Sequence, residues 1–356
     1  MACDTPGANN EILHHALQAV DLDHSAGRIE HGPQGVDTYA RFARLPMTTA
    51  YITHPDCLRH EMGPGHPESP ERLTAINEQM RSSGLLDELQ CLEAPLAGAD
   101  DLKRVHRAAY VDLIFENAPE EGYVQLDPDT AMNPYSLDAA RRAAGAGILA
   151  IDEMLAGRVR NAFCAVRPCG HHATQGRSMG FCIFNNVAVA AAYALEKMGI
   201  ERVAVIDFDV HHGNGTEDIF SAPQWQKHVL MASFFQHPFY PNSGTDSAAP
   251  NMINVPLAAG SGGAEATKVF ERQWLPALEN FKPELILISA GFDAHREDLL
   301  GGLALVEADY VWMTRGLMAL AARHSQQRIV SMLEGGYNLS ALGRSAVAHV
   351  KTLADL

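Results

Sequence analysis

Asp209 and His211 stand two residues apart in the run Asp207-Phe208-Asp209-Val210-His211-His212-Gly213-Asn214-Gly215, just past an apolar, strand-like segment. At the end of an extended chain, residues two apart leave from the same side. Asp293 follows a second such segment in Ala290-Gly291-Phe292-Asp293, and Cys169-Gly170-His171-His172 follows a third. Two carboxylates and one imidazole form a three-ligand set for a divalent ion. Unlike a closed structural site, it leaves coordination positions free for a reacting molecule. The adjacent histidines 171 and 172 add groups able to move protons near neutral pH. The combination reads as a metal-dependent hydrolase. Taken singly, His211 or His171 would be an ordinary structural histidine; what favours chemistry is that Asp209 and Asp293 also fall at strand ends.

The elements that must position these groups are visible as alternating patterns. Strand-like runs occupy Thr49–Thr53, Ala162–Val166, Val203–Phe208, Val229–Phe234, Leu285–Ser289 and Ile329–Leu333. Apolar residues return at three- and four-residue intervals over Pro70–Arg81, Ser136–Leu155, Asn186–Met198, Glu265–Asn280 and Glu307–Arg323, which predicts helices. Such alternation predicts an α/β fold: a mainly parallel sheet with helices on both faces. Ligands of open α/β sheets bind beyond the carboxyl ends of the strands, and five polar clusters follow Val166, Val205, Phe234, Ile288 and Leu333. No linker or repeat interrupts the pattern, so a single domain is expected over 47–356, with long strand-to-helix loops. Residues 1–46, with a weakly amphipathic piece at Glu11–Leu22, read as an N-terminal extension suited to contacts between copies in a homo-oligomer.

Composition sets the remaining bounds. A chain of 356 residues with 47% hydrophobic content can bury a large core. The formal charge of −16 argues against direct binding to nucleic acid and suits a cationic peptide or amine substrate. Six cysteines without a Cys-x-x-Cys pair do not make a disulfide framework, so a reducing, cytoplasmic setting is expected. No stretch approaches the ~18–20 uninterrupted apolar residues that span a bilayer, so no membrane association is expected.

The runs Arg167-Pro168-Cys169-Gly170-His171-His172, Gly180-Phe181-Cys182, Asp207 through Gly215, Ser289 through Asp293, and Leu333-Glu334-Gly335-Gly336-Tyr337-Asn338 together resemble the histone deacetylase family, of arginase/deacetylase fold. Gly65-His66-Pro67-Glu68-x-Pro70-Glu71-Arg72 extends the likeness, and that segment with Asn214 resembles the class II branch and its bacterial histone-deacetylase-like amidohydrolases. The resemblance implies that Asp209, His211 and Asp293 hold Zn²⁺, with Fe²⁺ as the alternative, and that metal-bound water attacks the carbonyl of an acylated amine. It implies that His172, paired with neutral Asn214, is general base and then acid, while His171, paired with Asp207, stays cationic. Tyr337 would stabilise the oxyanion.

Further site residues follow from the same resemblance. Phe181 and Tyr240, with Phe239 able to exchange roles with Tyr240, would wall an acyl-lysine channel that includes Gly180. Asp129 would be an acidic rim residue and Arg72 an internal-cavity arginine. Asp207, Asp209, His211, Ser233 and Phe234 would form a structural K⁺ site. Leu300 lies seven residues beyond Asp293, where a related polyamine deacetylase carries a gatekeeping glutamate. A neutral side chain there favours acylated lysine peptides, or another small acylated amine, over acetylpolyamines. A non-catalytic acyl-lysine binding module is the third reading. Cys169 replaces the proline usual before Gly170; a buried, inert thiol is expected, with redox sensitivity as the alternative.

Overall fold

Six apolar runs become the middle of one sheet because they are buried on both faces, which suits the near-continuous Val/Ile/Leu/Ala content of parallel strands. The computed structural model describes residues 48–247 and 249–356, so the expected extension at 1–46 lies outside the described residues. Its strands are β1 (Thr48–Thr53), β2 (Gln90–Glu93), β3 (Val124–Asp127), β4 (Thr130–Met132), β5 (Val159–Cys164), β6 (Val203–Asp207), β7 (Val229–Gln236), β8 (Met252–Leu257), β9 (Leu285–Ala290) and β10 (Ile329–Leu333). Eight of them form a sheet in the order β2-β1-β5-β10-β9-β6-β7-β8, with every neighbouring pair parallel. β3 and β4 form a separate antiparallel pair. Every residue of β6, β7, β9 and β10 is buried.

Two groups of helices flank the sheet. Ser136–Leu155 packs on Asn186–Lys197, while Leu339–Leu353 packs between Glu71–Ser82 and Glu307–His324. Side-chain amides start two of these helices: Asn185 accepts the Ala188 N–H and Asn338 accepts the Ala341 N–H. Below the site the sheet is tied to a helix by a buried polar chain. The two ring nitrogens of His349 meet Thr314 Oγ1 at 2.7 Å and Ser331 Oγ at 2.8 Å.

The expected central strands and helices are present with ends shifted by a few residues. The expected helix at 265–280 is instead two helices, Gly263–Val269 and Leu275–Phe281, joined by a π-helical turn at Phe270–Trp274. The edge strands β2 and β8 and the helices Ala108–Glu116, Asn214–Phe220 and Leu339–Leu353 are additions to that reading. β8 contains Pro256, whose missing N–H is tolerated because the strand lies at the edge. Among the described residues, no helix is long and apolar enough to cross a membrane.

Candidate active site

β5, β6, β7, β9 and β10 end on the same side of the sheet, and their following segments carry the chemically competent residues. The β6 end supplies Asp209 and His211, and the β9 end supplies Asp293. One donor atom from each lies within 4.8 Å of the others. His211 Nδ1 is 3.0 Å from Asp209 Oδ1 and 3.2 Å from Asp293 Oδ2. Backbone groups fix the remaining oxygens: Asp209 Oδ2 accepts the Gly335 N–H at 2.8 Å, and Asp293 Oδ1 accepts the Val210 N–H at 2.9 Å.

This cluster has the character of a cation site. Burial opposes a charge on His211, yet its hydrogen bond to Asp209 and the neighbouring Asp293 carboxylate outweigh it and push its pKa up to about 10. Burial, with the Asp209 charge beside it, pushes Asp293 up to about 7. Two enclosed carboxylates thus demand positive charge between them, which a divalent ion supplies in exchange for the imidazole proton. Asp293 Oδ2 is buried without a hydrogen-bond partner. Gly335 leaves the space open: a β-carbon there would stand 1.9 Å from Asp293 Oδ2 and 2.6 Å from Asp209 Oδ2. An orphaned carboxylate oxygen and a cradle kept clear of side chains fit a bound metal.

The adjacent histidines leave β5 into different surroundings. His171 Nδ1 meets Asp207 Oδ2 at 2.9 Å, whereas His172 Nδ1 meets Asn214 Oδ1 at 2.7 Å. Burial penalises a charge on His171, but Asp207 and Asp209 overcome it and hold the pKa well above the ordinary histidine range. For His172, burial and then the charges of His171 and His211 drive the pKa well below that range. His171 is therefore cationic and His172 neutral at pH 7, so only His172 is free to accept a proton.

A cavity of about 270 Å³ opens above these groups, lined by Asp129, His172, Gly180, Phe181, His211, Phe239, Tyr240, Leu299, Leu300 and Tyr337. Both expected candidates for the second wall are present. Phe239 stacks on His211 at 5.4 Å between ring centroids, and Tyr240 meets His172 edge-on at 5.3 Å. Phe181 meets Tyr337 edge-on at 5.9 Å. Gly180 is required here: its φ is +57°, and a β-carbon would sit 2.4 Å from His172 Cδ2. Asp129 Oδ1 accepts the Gly180 N–H at 3.0 Å, fixing the turn that carries Phe181.

Arg72 lies below the cavity, fully buried. Its Nε donates to the Gly336 carbonyl at 2.6 Å and its Nη1 to Glu68 Oε1 at 3.0 Å. Ser233 pairs with Asp207 across β6 and β7, and its hydroxyl is buried without a partner; Phe234 is buried beside it.

Three residues with no assigned role in the sequence reading organise this site. Glu334 Oε2 accepts the N–H groups of Gly170 and His171 at 2.7 and 3.1 Å, and its Oε1 accepts Ser289 Oγ–H at 3.1 Å. Asp298 Oδ2 accepts the N–H groups of Tyr337 and Asn338 at 2.6 and 2.9 Å, while its Oδ1 accepts the Leu300 N–H at 2.9 Å. Glu68 binds Arg72 and Arg167 in a buried cluster beside His60. Glu68 and Glu334 stand within the recognised motifs; Asp298 has no local signature.

A sequence profile described as the histone deacetylase domain matches residues 66–353. The chain belongs to this family. The histone deacetylase-like amidohydrolase of Pseudomonas aeruginosa is 36% identical over 336 residues, covering 88% of this chain and 87% of that protein. Histone deacetylase 15 of Arabidopsis thaliana is 38% identical over 300 residues, covering 81% of this chain and 52% of that one. The polyamine deacetylase HDAC10 of Mus musculus is 35% identical over 328 residues, covering 86% of this chain and 48% of that one. The crystal structure of the HDA15 HD domain superposes with a TM-score of 0.80 at 35% identity, covering 87% of this chain and 88% of that chain. The chain is accordingly a deacetylase or amidohydrolase of the histone deacetylase family.

Proposed function

We propose that the protein is a zinc-dependent amide hydrolase that removes acetyl or related acyl groups from lysine side chains. The observation that carries this reading is the convergence of Asp209, His211 and Asp293 beside a cavity lined by His172 and Tyr337. When bound, Zn²⁺ acts as a Lewis acid and makes water acidic enough to supply a nucleophile near neutral pH. Neutral His172 accepts the proton of the attacking water at Nε2, since Nδ1 faces Asn214 Oδ1. It then returns that proton to the departing amine nitrogen. Cationic His171 adds fixed positive charge beside the developing oxyanion, held in place by Asp207.

Tyr337 donates its phenolic hydrogen to the substrate carbonyl oxygen. Burial keeps that phenol protonated, well above its ordinary pKa, so the donor persists across the working pH range. Asp298 and Arg72 hold the Gly336-Tyr337 backbone from either side. Phe181, Phe239 and Tyr240 enclose the apolar stem of the lysine and exclude water, and Asp129 at the rim would face the substrate backbone. Ser233, Phe234 and the β6 end would hold K⁺ as a structural ion.

A second reading, an acylpolyamine or small-amide hydrolase, is favoured by the likeness to the mouse polyamine deacetylase. Leu300 at the cavity mouth offers a distant ammonium nothing and speaks for acyl-lysine. The deciding experiment compares acetyl-lysine peptides, acetylated polyamines and small amides on the zinc-loaded protein. Acetyl-lysine cleavage should dominate, and His172→Ala and Tyr337→Phe should each lower kcat by about 10²–10³-fold. Undiminished turnover in both variants would defeat the mechanism.

A further inference from the structure

The loop after β5 and the turn that carries Phe181 meet through two sulfurs. Cys169 Sγ lies 3.3 Å from Cys182 Sγ, and the Gly180 carbonyl touches both, at 3.8 and 3.3 Å. Both thiols are free and buried, and with Ala173 and Phe181 they form a small apolar cluster of their own. Neither side chain has a part in the mechanism above. Glu334 is the third potential ligand nearby, but its oxygens already accept the Gly170 and His171 N–H groups and the Ser289 hydroxyl. Two sulfurs in contact beside an occupied carboxylate suit a bond to each other better than a closed metal site, which takes four ligands.

We propose that Cys169 and Cys182 form a reversible disulfide that switches the active site off under oxidising conditions. The oxidant is a small hydroperoxide; Gly180 and Phe181, which line the cavity, immediately precede Cys182 in the chain. The Cys169 sulfur attacks the peroxide oxygen; the O–O bond breaks, an S–O bond forms, and the leaving oxygen departs as water or alcohol after taking the Cys169 proton. The Cys182 sulfur then attacks the sulfenic sulfur. The S–S bond forms as the S–O bond breaks, and the hydroxyl leaves as water with the Cys182 proton. In sum two thiols lose two electrons and two protons, and one peroxide O–O bond is reduced. A thiol, such as a dithiol reductant, reverses the step by exchange.

The consequence for activity rests on the function proposed above. Closing the pair from 3.3 Å to the covalent distance of about 2.05 Å draws together the backbone leading into His171 and His172 and the turn bearing Phe181. The Gly180 turn already abuts His172, with no room for a β-carbon, so displacement on this scale reaches the proton-transfer group. Misplacement of about 1 Å can cost about 100-fold in rate, so oxidation should lower kcat by between about 10- and 100-fold.

The test treats the full chain with hydrogen peroxide, then digests it under non-reducing conditions and sequences the linked peptides by mass spectrometry, with turnover measured in parallel. The expected result is a peptide pair joining Cys169 to Cys182, loss of two hydrogens from the intact mass, falling activity, and recovery of both on adding a dithiol. Cys169→Ser and Cys182→Ser should each stay active in the reduced state and lose the peroxide-sensitive, dithiol-reversible component. Peroxide that leaves the two cysteines unlinked, or a link that leaves turnover unchanged, overturns the proposal. A reduced protein that binds metal but cleaves no acylated amine counts against the assigned function instead; the peptide link is scored independently of activity.

Discussion

Replacing Gly335 with alanine should empty the metal site while leaving the fold intact. The added carbon would lie 1.9 Å from Asp293 Oδ2 and 2.6 Å from Asp209 Oδ2, inside the 3.0 Å that such contacts respect. The Asp293 carboxylate would have to retreat by about 1.1 Å, whereas coordination tolerates deviations of only about 0.2 Å. Loss of a residue that merely orients a ligand costs about 10–100-fold in metal affinity, so displacing a ligand should cost at least about 100-fold, or about 2.7 kcal/mol. Gly335 is outside the left-handed region, so alanine brings no backbone penalty there; its neighbour Gly336, at φ +123°, is the contrasting control. Gly336→Ala should lower the melting temperature through strain of at least about 1 kcal/mol and leave the cradle unobstructed. Zinc affinity is read by competition with chelators of graded strength, and folding by circular dichroism in excess chelator. Gly335→Ala binding one ion per chain with wild-type affinity would refute the assignment of that space to a cation.

Asp298→Ala should reduce kcat by about 100-fold with zinc stoichiometry unchanged, because the turn bearing Tyr337 loses its carboxylate acceptor; a fall in bound zinc would contradict a purely positioning role. Leu300→Glu should raise the ratio of acetylpolyamine to acetyl-lysine kcat/KM by up to about fivefold, the roughly 1 kcal/mol of an exposed ion pair. An unchanged or reduced ratio removes Leu300 from specificity. His349, buried between Thr314 and Ser331, has its pKa pushed down to about 3 by burial. Above pH 6.5 both folded and unfolded states hold it neutral; below that the unfolded chain takes a proton that the folded one refuses, so stability falls as pH drops. His349→Gln should remove about 1.4 kcal/mol per pH unit from the acid dependence of unfolding between about pH 6 and 4, and an unaltered slope would discard this account.

What the sequence disclosed follows from where information is local. Asp209 and His211 announce themselves by residue type and close spacing after an apolar run, although β6 ends at Asp207 and a bend, closed by the His211 N–H donating to Asp209 Oδ1, is what brings the two side chains together. β6, β9 and β10 are recognisable because burial on both faces demands uninterrupted apolar runs. The edge strands β2 and β8 escape because half of their surroundings are solvent or loop, and because Pro256 argues locally against a strand. The helix Leu339–Leu353 follows directly on the motif that ends at Asn338, whose side chain caps it by accepting the Ala341 N–H. Glu334 and Asp298 act on backbone N–H groups 163 or 164 and 39 or 40 residues away, respectively, and no local pattern encodes such pairings.

The buried tie between Arg72 and the Gly336 carbonyl spans 264 residues of chain. A contact of that separation forms only after large loops have closed, at an entropic cost that local structure cannot repay in advance. β10 also lies between β5 and β9, so the strand that leads into the Tyr337 turn is the one that joins the segment bearing His171 and His172 to the segments bearing Asp209, His211 and Asp293. The turn bearing Tyr337 is therefore fixed only when an early helix and the segment after the last-made strand of the sheet have met.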